Sequence, residues 1–338
     1  MSLFPRGRSG WEQRIARTDG KRRGPQWLRR AGAAALRLLQ GLDALGYDFT
    51  PVTPETHKRV VARSDKAEAR DLRDVFGWSL PFDEALLPAD LGAALREAGL
   101  IEPAAGGRWK SMVRVSSVAG RLFLHSAFPT DRVDSVFLGP DTVRFADFLT
   151  RELERATKPV SRIVDIGAGA GVGGIVAAGL VPEAVVELLD VNERALGFAR
   201  VNAHHAAIEA RTLVSDGVEA TAPGFDLAVA NPPFIVDEAG RAYRAGGGMH
   251  GAEISLQWAL AAAEKLAPGG RLLLYTGSAI VGGRDALLEA LADALPDRGC
   301  TLSYREIDPD IFGEELDKAA YRDVERIAAV GAVVTRDG

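Results

Sequence analysis

The stretch Arg162-Ile-Val-Asp165-Ile-Gly-Ala-Gly-Ala-Gly171 decides the fold. Its first half is a short apolar run with β-branched residues, which predicts a buried strand. Its second half places three glycines at alternate positions, where the backbone can turn sharply and a ligand can approach more closely than a Cβ would permit. The stretch therefore predicts a strand that leads into a ligand-binding loop.

The same order of strand, loop and helix repeats from Val160 onward. Apolar runs at 161–166, 184–189, 227–230 and 271–275 alternate with helical stretches. This alternation predicts a doubly wound, Rossmann-like α/β domain whose mostly parallel sheet is covered on both faces. With a third strand that ends before Ser215 and two further runs near the carboxyl end, the sheet is expected to be seven-stranded. The last two runs, 301–307 and 325–335, are separated by about 17 residues without a crossover helix pattern, so we expect an antiparallel last strand. We assign this domain to residues 136–338.

The composition is that of a soluble, globular protein. The chain has 338 residues, 41 Lys plus Arg, 46 Asp plus Glu and 47% apolar residues, which excludes a disordered or collagen-like polymer and favours two domains. Cys300 is the single cysteine, and the five histidines lack zinc-binding spacing, so we expect no disulfide, no metal and a cytoplasmic location. The longest apolar stretch, 172–190, is interrupted by Pro182 and two glutamates and does not predict a membrane span.

The amino end is strongly basic. Residues 1–30 contain nine Lys and Arg residues against Glu12 and Asp19, a net charge of +7, which leaves −12 on the rest of the chain. We interpret this segment as a flexible arm that can bind nucleic-acid phosphates without sequence preference. The alternatives are a solvated tail without a partner and an organelle transit peptide, which is also Arg-rich and acid-poor.

Residues 31–135 predict a smaller domain in which helices precede a hairpin. Helical signals occur at Leu36, Leu39, Leu42, Leu45 and Gly46, at Thr53-Pro54, at 72–77 and at 89–99. The runs 109–117 and 121–128 flank Val118-Ala119-Gly120 and are expected to pair with each other. This winged-helix-like order predicts a substrate-recognition domain that reads nucleic acid, or alternatively a small domain that roofs the functional site.

An acidic residue follows the second strand of the α/β domain. Asp190 ends the run Val185-Val-Glu-Leu-Leu-Asp190, 25 residues after Asp165, where a carboxylate can accept both hydroxyls of a ribose. Together with the glycine loop, it predicts a nucleotide-like cofactor. The alternative is a helix-capping role, because Asn192 and Glu193 follow.

These motifs, with Ser215-Asp216-Gly217 and Asn231-Pro232-Pro233-Phe234, occur in the order typical of class I S-adenosylmethionine-dependent methyltransferases. Over about residues 137–338 the chain most resembles the small-domain amino methyltransferases, which include release-factor glutamine and ribosomal-RNA guanine enzymes. The resemblance implies that S-adenosyl-L-methionine is the cofactor. It also implies cofactor-binding residues at Asp165, Gly167, Ala168, Gly169, Gly171, Asp190, Asn192, Asp216, Gly217 and Asn231. For Asp216, a contact with the adenine and a simple turn role both remain open.

Asn231-Pro232-Pro233-Phe234 contains the predicted catalytic residues. The lone pair of a nucleobase amine or a carboxamide nitrogen is delocalised, so the nitrogen must be oriented before it can attack a methyl group. The Asn231 side chain and the Pro232 carbonyl can each accept one N–H, and Pro233 helps to keep this backbone extended and rigid. Phe234 offers a flat surface for stacking. The alternative is a loop in which the two prolines merely end the strand and Phe234 is buried.

Two further segments match less specifically. Gly139-Pro140-Asp141-Thr142 stands where related enzymes place a segment over the methionine end of the cofactor, or it is an ordinary helix start. The stretch 246–251 resembles the glycine-rich stretch that follows the catalytic motif in release-factor enzymes, although such stretches are often mobile loops. We interpret His250 there as a loop residue rather than a base, since the proton can leave to solvent after transfer.

The substrate is less well defined. Release-factor enzymes usually have Tyr where Phe234 stands, and the guanine enzymes usually have His where Ile235 stands. The basic arm and the front domain favour an exocyclic amine of a nucleobase in RNA or DNA. The alternatives are a protein glutamine and, in a different class of function, a catalytically inactive scaffold that binds the cofactor or RNA. The sequence does not define the oligomeric state.

Overall fold

The computed structural model describes residues 25–156, 158–237 and 244–338, with side chains from residue 31 onward. Most of the predicted basic arm therefore lies outside the described residues. The first helix of the described residues begins at Pro25, within the range assigned to the arm, and runs to Ala44. In the described part of the chain, none of the helices is long and apolar enough to cross a membrane.

From residue 25 onward, the front region has four α-helices, at Pro25–Ala44 (α1), Pro54–Val61 (α2), Leu72–Phe76 (α3) and Ala89–Glu97 (α4). Helix α2 starts as the Thr53-Pro54 pair predicts, because the Thr53 hydroxyl accepts the N–H of Thr56 at 3.1 Å. The every-third pattern does not mark the buried face of α1, because Leu36 is only half-buried and Leu45, just beyond the end of the helix, is 55% exposed. The buried residues of α1 follow the 3.6-residue helical period instead, at Ala34, Ala35, Leu38, Leu39 and Leu42.

Two separate β-ladders follow the helices. The strands Ile101–Pro103 (β1) and Trp109–Ser111 (β2) form the first ladder, and Val113–Val118 (β3) and Arg121–Ser126 (β4) form the second. The predicted hairpin is therefore correct only from Val113 onward, because residues 109–111 pair with β1 instead. Ala119 and Gly120 make the turn with φ of 48° and 70°, the sign that a two-residue type I′ hairpin loop requires.

The second hairpin is buried. Five of the six residues in each strand are buried, and the hairpin packs on the helix Glu193–His205 (α7) of the sheet domain. A wing that inserts into nucleic acid needs exposed side chains, so this burial favours the roofing alternative for the front domain.

The sheet domain has seven main strands, as predicted. They are Arg162–Ile166 (β5), Val185–Asp190 (β6), Ala210–Val214 (β7), Phe225–Ala230 (β8), Leu266–Val281 (β9), Cys300–Asp308 (β11) and Arg326–Arg336 (β12), in the spatial order β11-β12-β9-β8-β5-β6-β7. A two-residue strand, Arg284–Asp285 (β10), adds to β9. The remaining helices are Pro140–Glu154 (α5), Val172–Leu180 (α6), Glu193–His205 (α7), Glu253–Lys265 (α8) and Ala286–Ala294 (α9). Strand β12 is antiparallel to both neighbours, which confirms the expected antiparallel end of the sheet.

The register of the parallel strands brings their carboxyl ends to one edge. Ile166 pairs with Ala230 of β8 and with Leu189 of β6, and Asp190 pairs with Val214 of β7. Because neighbouring strands lie about 4.8 Å apart, the segments that follow these residues emerge side by side. This edge is where open α/β sheets bind ligands.

Candidate functional site

The glycine loop after β5 is shaped by packing at two of its glycines. A Cβ on Gly167 would overlap the indole ring of Trp258, and a Cβ on Gly171 would lie 3.1 Å from that of Ala199. At Gly169, whose φ is 54°, a Cβ would meet nothing within 4 Å. The open surface of the loop is therefore at Gly169.

Asp190 closes the loop from the neighbouring strand. One carboxylate oxygen accepts the N–H of Gly169 and the other accepts the N–H of Asn192, each at 2.8 Å. Burial raises the pKa of this carboxyl above its usual value. Each oxygen keeps a further lone pair, so the carboxylate can still accept hydroxyl donors from a ligand.

Asp165 supports the loop from behind. Its carboxylate is buried and accepts the N–H of Gly174, in the first turn of α6, at 2.7 Å. Burial raises the pKa of Asp165 to about 7, more than this hydrogen bond lowers it. Asp165 thus ties the end of β5 to α6, while Asp190 contacts the open side of the loop.

The other residues predicted to bind the cofactor surround this loop. The N–H of Ala168 donates to Leu189 O at 2.8 Å, which fixes the loop to β6. The Asn192 Oδ1 atom caps α7 by accepting the N–H of Arg194 at 3.0 Å, and Asn192 Nδ2 donates to Asp134 O at 3.0 Å. Asp216 and Gly217 follow β7, and Gly217 has a φ of 51°. Their roles toward a ligand stay predictions.

Asn231-Pro232-Pro233-Phe234 lies directly after β8, beside the glycine loop. Asn231 is half-buried, and Pro232 is buried. Phe234 is 8% exposed, and its ring packs against Gly277 and stands edge-on to Phe312 with ring centroids 5.7 Å apart. This burial is what the alternative of a strand-ending loop expects, and stacking on an acceptor stays a prediction.

The glycine-rich stretch 246–251 packs backbone against backbone on residues 231–234, the predicted catalytic segment. A Cβ on Gly246 would lie 2.7 Å from Phe234 Cα, and a Cβ on Gly251 would overlap the Phe234 carbonyl. Gly246 N donates to Ile235 O at 2.9 Å, and Ile235 N donates to Arg244 O at 3.1 Å. These glycines allow the stretch to hold the residues that follow Phe234.

A family comparison assigns the region that contains these motifs. Residues 144–292 match the family model described as the methyltransferase small domain. The matched region is similar to that family and makes up less than half of the chain. The family resemblance predicted from the motifs is thereby confirmed.

Two kinds of curated relative are among those that match this chain. The chain is 29% identical over 180 residues to the release factor glutamine methyltransferase of Deinococcus radiodurans, which is 52% of this chain and 63% of the relative. It is 40% identical over 73 residues to ribosomal RNA small subunit methyltransferase C of Hahella chejuensis, 22% of this chain and 21% of the relative. The chain thus spans less than two thirds of either relative.

One of the solved structures that this chain matches is the Thermus thermophilus 16S rRNA N2 G1207 methyltransferase in complex with AdoMet and guanosine. The two chains are 17% identical with a TM-score of 0.44, and the match covers 77% of this chain and 64% of the other.

Trp258 is a site residue that the sequence motifs did not reveal. It lies on α8 of the methyltransferase small domain, and its half-buried indole contacts two of the predicted cofactor loops. One ring edge lies against Gly167, and a Cβ on Gly217 would lie 3.2 Å from the Nε1 and Cδ1 atoms at the other edge. Trp258 is 91 residues beyond Gly167, and a single tryptophan in a helix gives no sequence signal that it will contact these loops.

The Gly139–Thr142 segment precedes the methyltransferase small domain and starts α5. Asp141 is buried, and its carboxylate accepts the Tyr275 hydroxyl of β9 at 2.7 Å. Burial raises the pKa of Asp141 above its usual value. Both roles predicted for this segment stay open, because a helix start and a cover over a ligand are compatible with this anchoring.

His250 is held in the loop that follows the catalytic segment. Its Nε2 lies 3.1 Å from Asp323 Oδ1, and its backbone has a φ of 51°. In the described ranges, no group of three or more His, Cys, Asp and Glu side chains could hold a metal ion.

Proposed function

We propose that this chain transfers a methyl group from S-adenosylmethionine to a planar amino nitrogen. The observation that supports it most is the adjacency of two motifs at one sheet edge. The glycine loop follows Ile166, the acceptor motif follows Ala230, and these two residues are paired between neighbouring strands. A donor held by the first motif and an acceptor held by the second would therefore meet.

The residues at the glycine loop fit the cofactor. The Asp190 carboxylate would accept the ribose hydroxyls, and the backbone at Gly169 would let the ligand approach without a Cβ in the way. Trp258 would form an apolar wall between the loops at Gly167 and Gly217. The cofactor supplies an electrophilic methyl group on a sulfonium sulfur.

The acceptor nitrogen would be oriented by the catalytic segment. The Asn231 side-chain oxygen and the Pro232 carbonyl each accept one N–H, which directs the nitrogen lone pair toward the donor. The two prolines hold these acceptors in place before the substrate arrives. The proton lost after transfer can leave to solvent, and His250 is already engaged with Asp323.

An exocyclic amine of a nucleobase in RNA or DNA is the first candidate acceptor. It is supported by the basic residues 1–30 and by relatives named for ribosomal RNA. A truncation that removes residues 1–24 and keeps α1 tests this candidate. We expect weaker nucleic-acid binding, and the slope of log affinity against log salt should fall by about 0.7–0.9 for each lost phosphate contact. Unchanged affinity and slope would contradict this role for the arm.

A protein glutamine is the second candidate, and one observation favours it. The segment 308–325, which contacts the catalytic segment, contains seven carboxylates against Lys318 and Arg322. Glu315 is buried in ion pairs, but the exposed Asp310, Glu314 and Asp317 repel phosphates and are compatible with a neutral or basic peptide. The relatives named for release factor glutamine methylation fit the same candidate.

One pair of measurements tests the proposal against an inactive scaffold. Calorimetric titration with S-adenosylhomocysteine measures cofactor binding, and tritium transfer from labelled S-adenosylmethionine to whole-cell RNA and protein fractions measures turnover. We expect binding together with label in one of the two fractions. Binding without label in either fraction would support the scaffold, and the absence of binding would contradict the cofactor assignment.

A further inference from the structure

The connection between β11 and β12 lies on the catalytic segment. We call residues 311–324 of this connection the brace segment. They lie outside the region 144–292 that the family model matches. Phe312 contacts the Phe234 ring of the catalytic motif, and Tyr321 contacts the backbone that follows this motif. Two residues of the brace segment, distant in the sequence, thus contact the predicted acceptor site.

The Tyr321 hydroxyl joins two parts of the acceptor loop, the name we give to the described residues 231–237 and 244–251. It accepts the N–H of Val236 at 2.8 Å and donates to the His250 carbonyl at 3.3 Å. Tyr321 is 1% exposed, and burial raises its pKa above the usual tyrosine value, so the hydroxyl stays protonated. One buried hydroxyl therefore fixes the backbone just after Phe234 to the end of the glycine-rich stretch.

Three other contacts of the brace segment act on the same loop. Glu315 is 2% exposed and forms ion pairs with Arg244 and Lys318. Asp323 holds the His250 ring at 3.1 Å. With the edge-on contact between Phe312 and Phe234, these contacts hold both the beginning and the end of the loop.

We propose that Tyr321 is a positioning residue for methyl transfer, acting through Val236 and His250 on the catalytic segment. This inference rests on the proposed function. An acceptor nitrogen must be held in line with the methyl group, and small displacements of its partners reduce turnover strongly. Without its hydroxyl, the ring still fills the core, but the two backbone groups lose their shared partner.

The test is Tyr321→Phe, with Tyr304→Phe as the matched control. Tyr304 lies on β11 and is half-buried, and its hydroxyl also makes a side-chain hydrogen bond, donating to Asp285 at 2.7 Å, with no contact to the acceptor loop. We expect Tyr321→Phe to keep the affinity for S-adenosylhomocysteine within about threefold and to reduce tritiated-methyl transfer to the labelled fraction about 10- to 100-fold. Tyr304→Phe should transfer methyl groups at the parental rate.

Hydrogen exchange gives a second readout that needs no acceptor. Peptides that contain Val236 should exchange faster in Tyr321→Phe than in the parent or in Tyr304→Phe. Parental exchange in Tyr321→Phe, or parental turnover, would overturn the inference. Faster exchange with an inactive parent would leave the positioning of the loop supported and would count against the proposed function instead.

Discussion

Asn202 binds the backbone of Leu124 in both directions: Leu124 N donates to Asn202 Oδ1 at 2.8 Å, and Asn202 Nδ2 donates to Leu124 O at 3.0 Å. The same Nδ2 donates to Ala170 O, in the glycine loop, at 2.8 Å. Asn202 is 1% exposed. A single carboxamide on α7 therefore joins the front hairpin to the loop that is expected to bind the cofactor.

Replacing Asn202 by Ala should destabilise the fold by about 1–3 kcal/mol, because buried backbone groups of Leu124 and Ala170 lose their partner. Urea unfolding measures this change. Arg200→Ala, on an exposed position of the same helix, serves as the control and should stay within about 0.5 kcal/mol of the parent. Equal midpoints for the two variants would show that the link between hairpin and loop contributes little.

Asp190→Ala should weaken the binding of S-adenosylhomocysteine about 10- to 100-fold, because charge-assisted hydrogen bonds to the ribose are lost. Calorimetry measures the affinity. Asp226→Ala is a matched control: its carboxylate also accepts two backbone N–H groups, from Ser161 and Arg162, but at the amino end of the strands. The account fails for Asp190 if both variants bind the ligand with parental affinity.

Trp258 should report cofactor binding directly. We expect S-adenosylhomocysteine to change the fluorescence of the parent, and Trp258→Phe to lose most of that change, because the indole spans the loops at Gly167 and Gly217. Trp78→Phe, in the front region, is the control and should keep the signal. A change in fluorescence that survives in Trp258→Phe would place the ligand away from these loops.

Much of the sheet domain could be predicted because its signals are local. A glycine loop, a carboxylate at a strand end and a Pro-Pro pair can each be recognised from a few neighbouring residues. The order of the strands then brings Gly169, Asp190 and Asn231 to the same edge of the sheet. Trp258 and Tyr321 could not be predicted in this way. Each contacts loops about 40 to 90 residues away, and a single aromatic residue has no period or spacing that specifies its partner.

The hairpin shows a different limit. Alternation predicted extended chain from Trp109 onward, but it does not specify the partner strand. Trp109 N donates to Phe82 O at 2.9 Å, and β2 pairs with β1, so only the residues from Val113 onward join the hairpin. In α1 the helix was predicted correctly, while its buried face followed the tertiary contacts of Leu38 and Leu42 rather than a strict three-residue spacing.

His57 should make stability depend on pH. Burial, with Arg114 and Lys110 nearby, lowers the pKa of His57 to about 3. An unfolded histidine binds a proton below about pH 6.5, so the unfolded state holds more protons between these values, and stability falls as pH decreases through this window. The contribution of one such group is about 1.4 kcal/mol per pH unit.

His57→Phe should reduce this slope, because the imidazole that titrates is removed. The new ring can still pack against Phe128, whose ring centroid lies 4.1 Å from that of the imidazole. Urea unfolding between pH 7 and pH 5 measures the slope for parent and variant. His125, whose pKa burial also lowers, contributes equally to both chains and cancels in the difference. Parallel pH profiles for parent and variant would mean that His57 is not held neutral in the folded state.

The most direct test of the proposed chemistry is Asn231→Ala, assayed for cofactor affinity and for methyl transfer in the same preparation. The side chain is expected to face the acceptor, so the affinity for S-adenosylhomocysteine should stay within about threefold of the parent, while turnover on the labelled RNA or protein fraction should fall by about two orders of magnitude or more. Circular dichroism confirms that the variant is folded. A folded Asn231→Ala variant that transfers methyl groups at the parental rate would contradict the amino-methyltransferase mechanism.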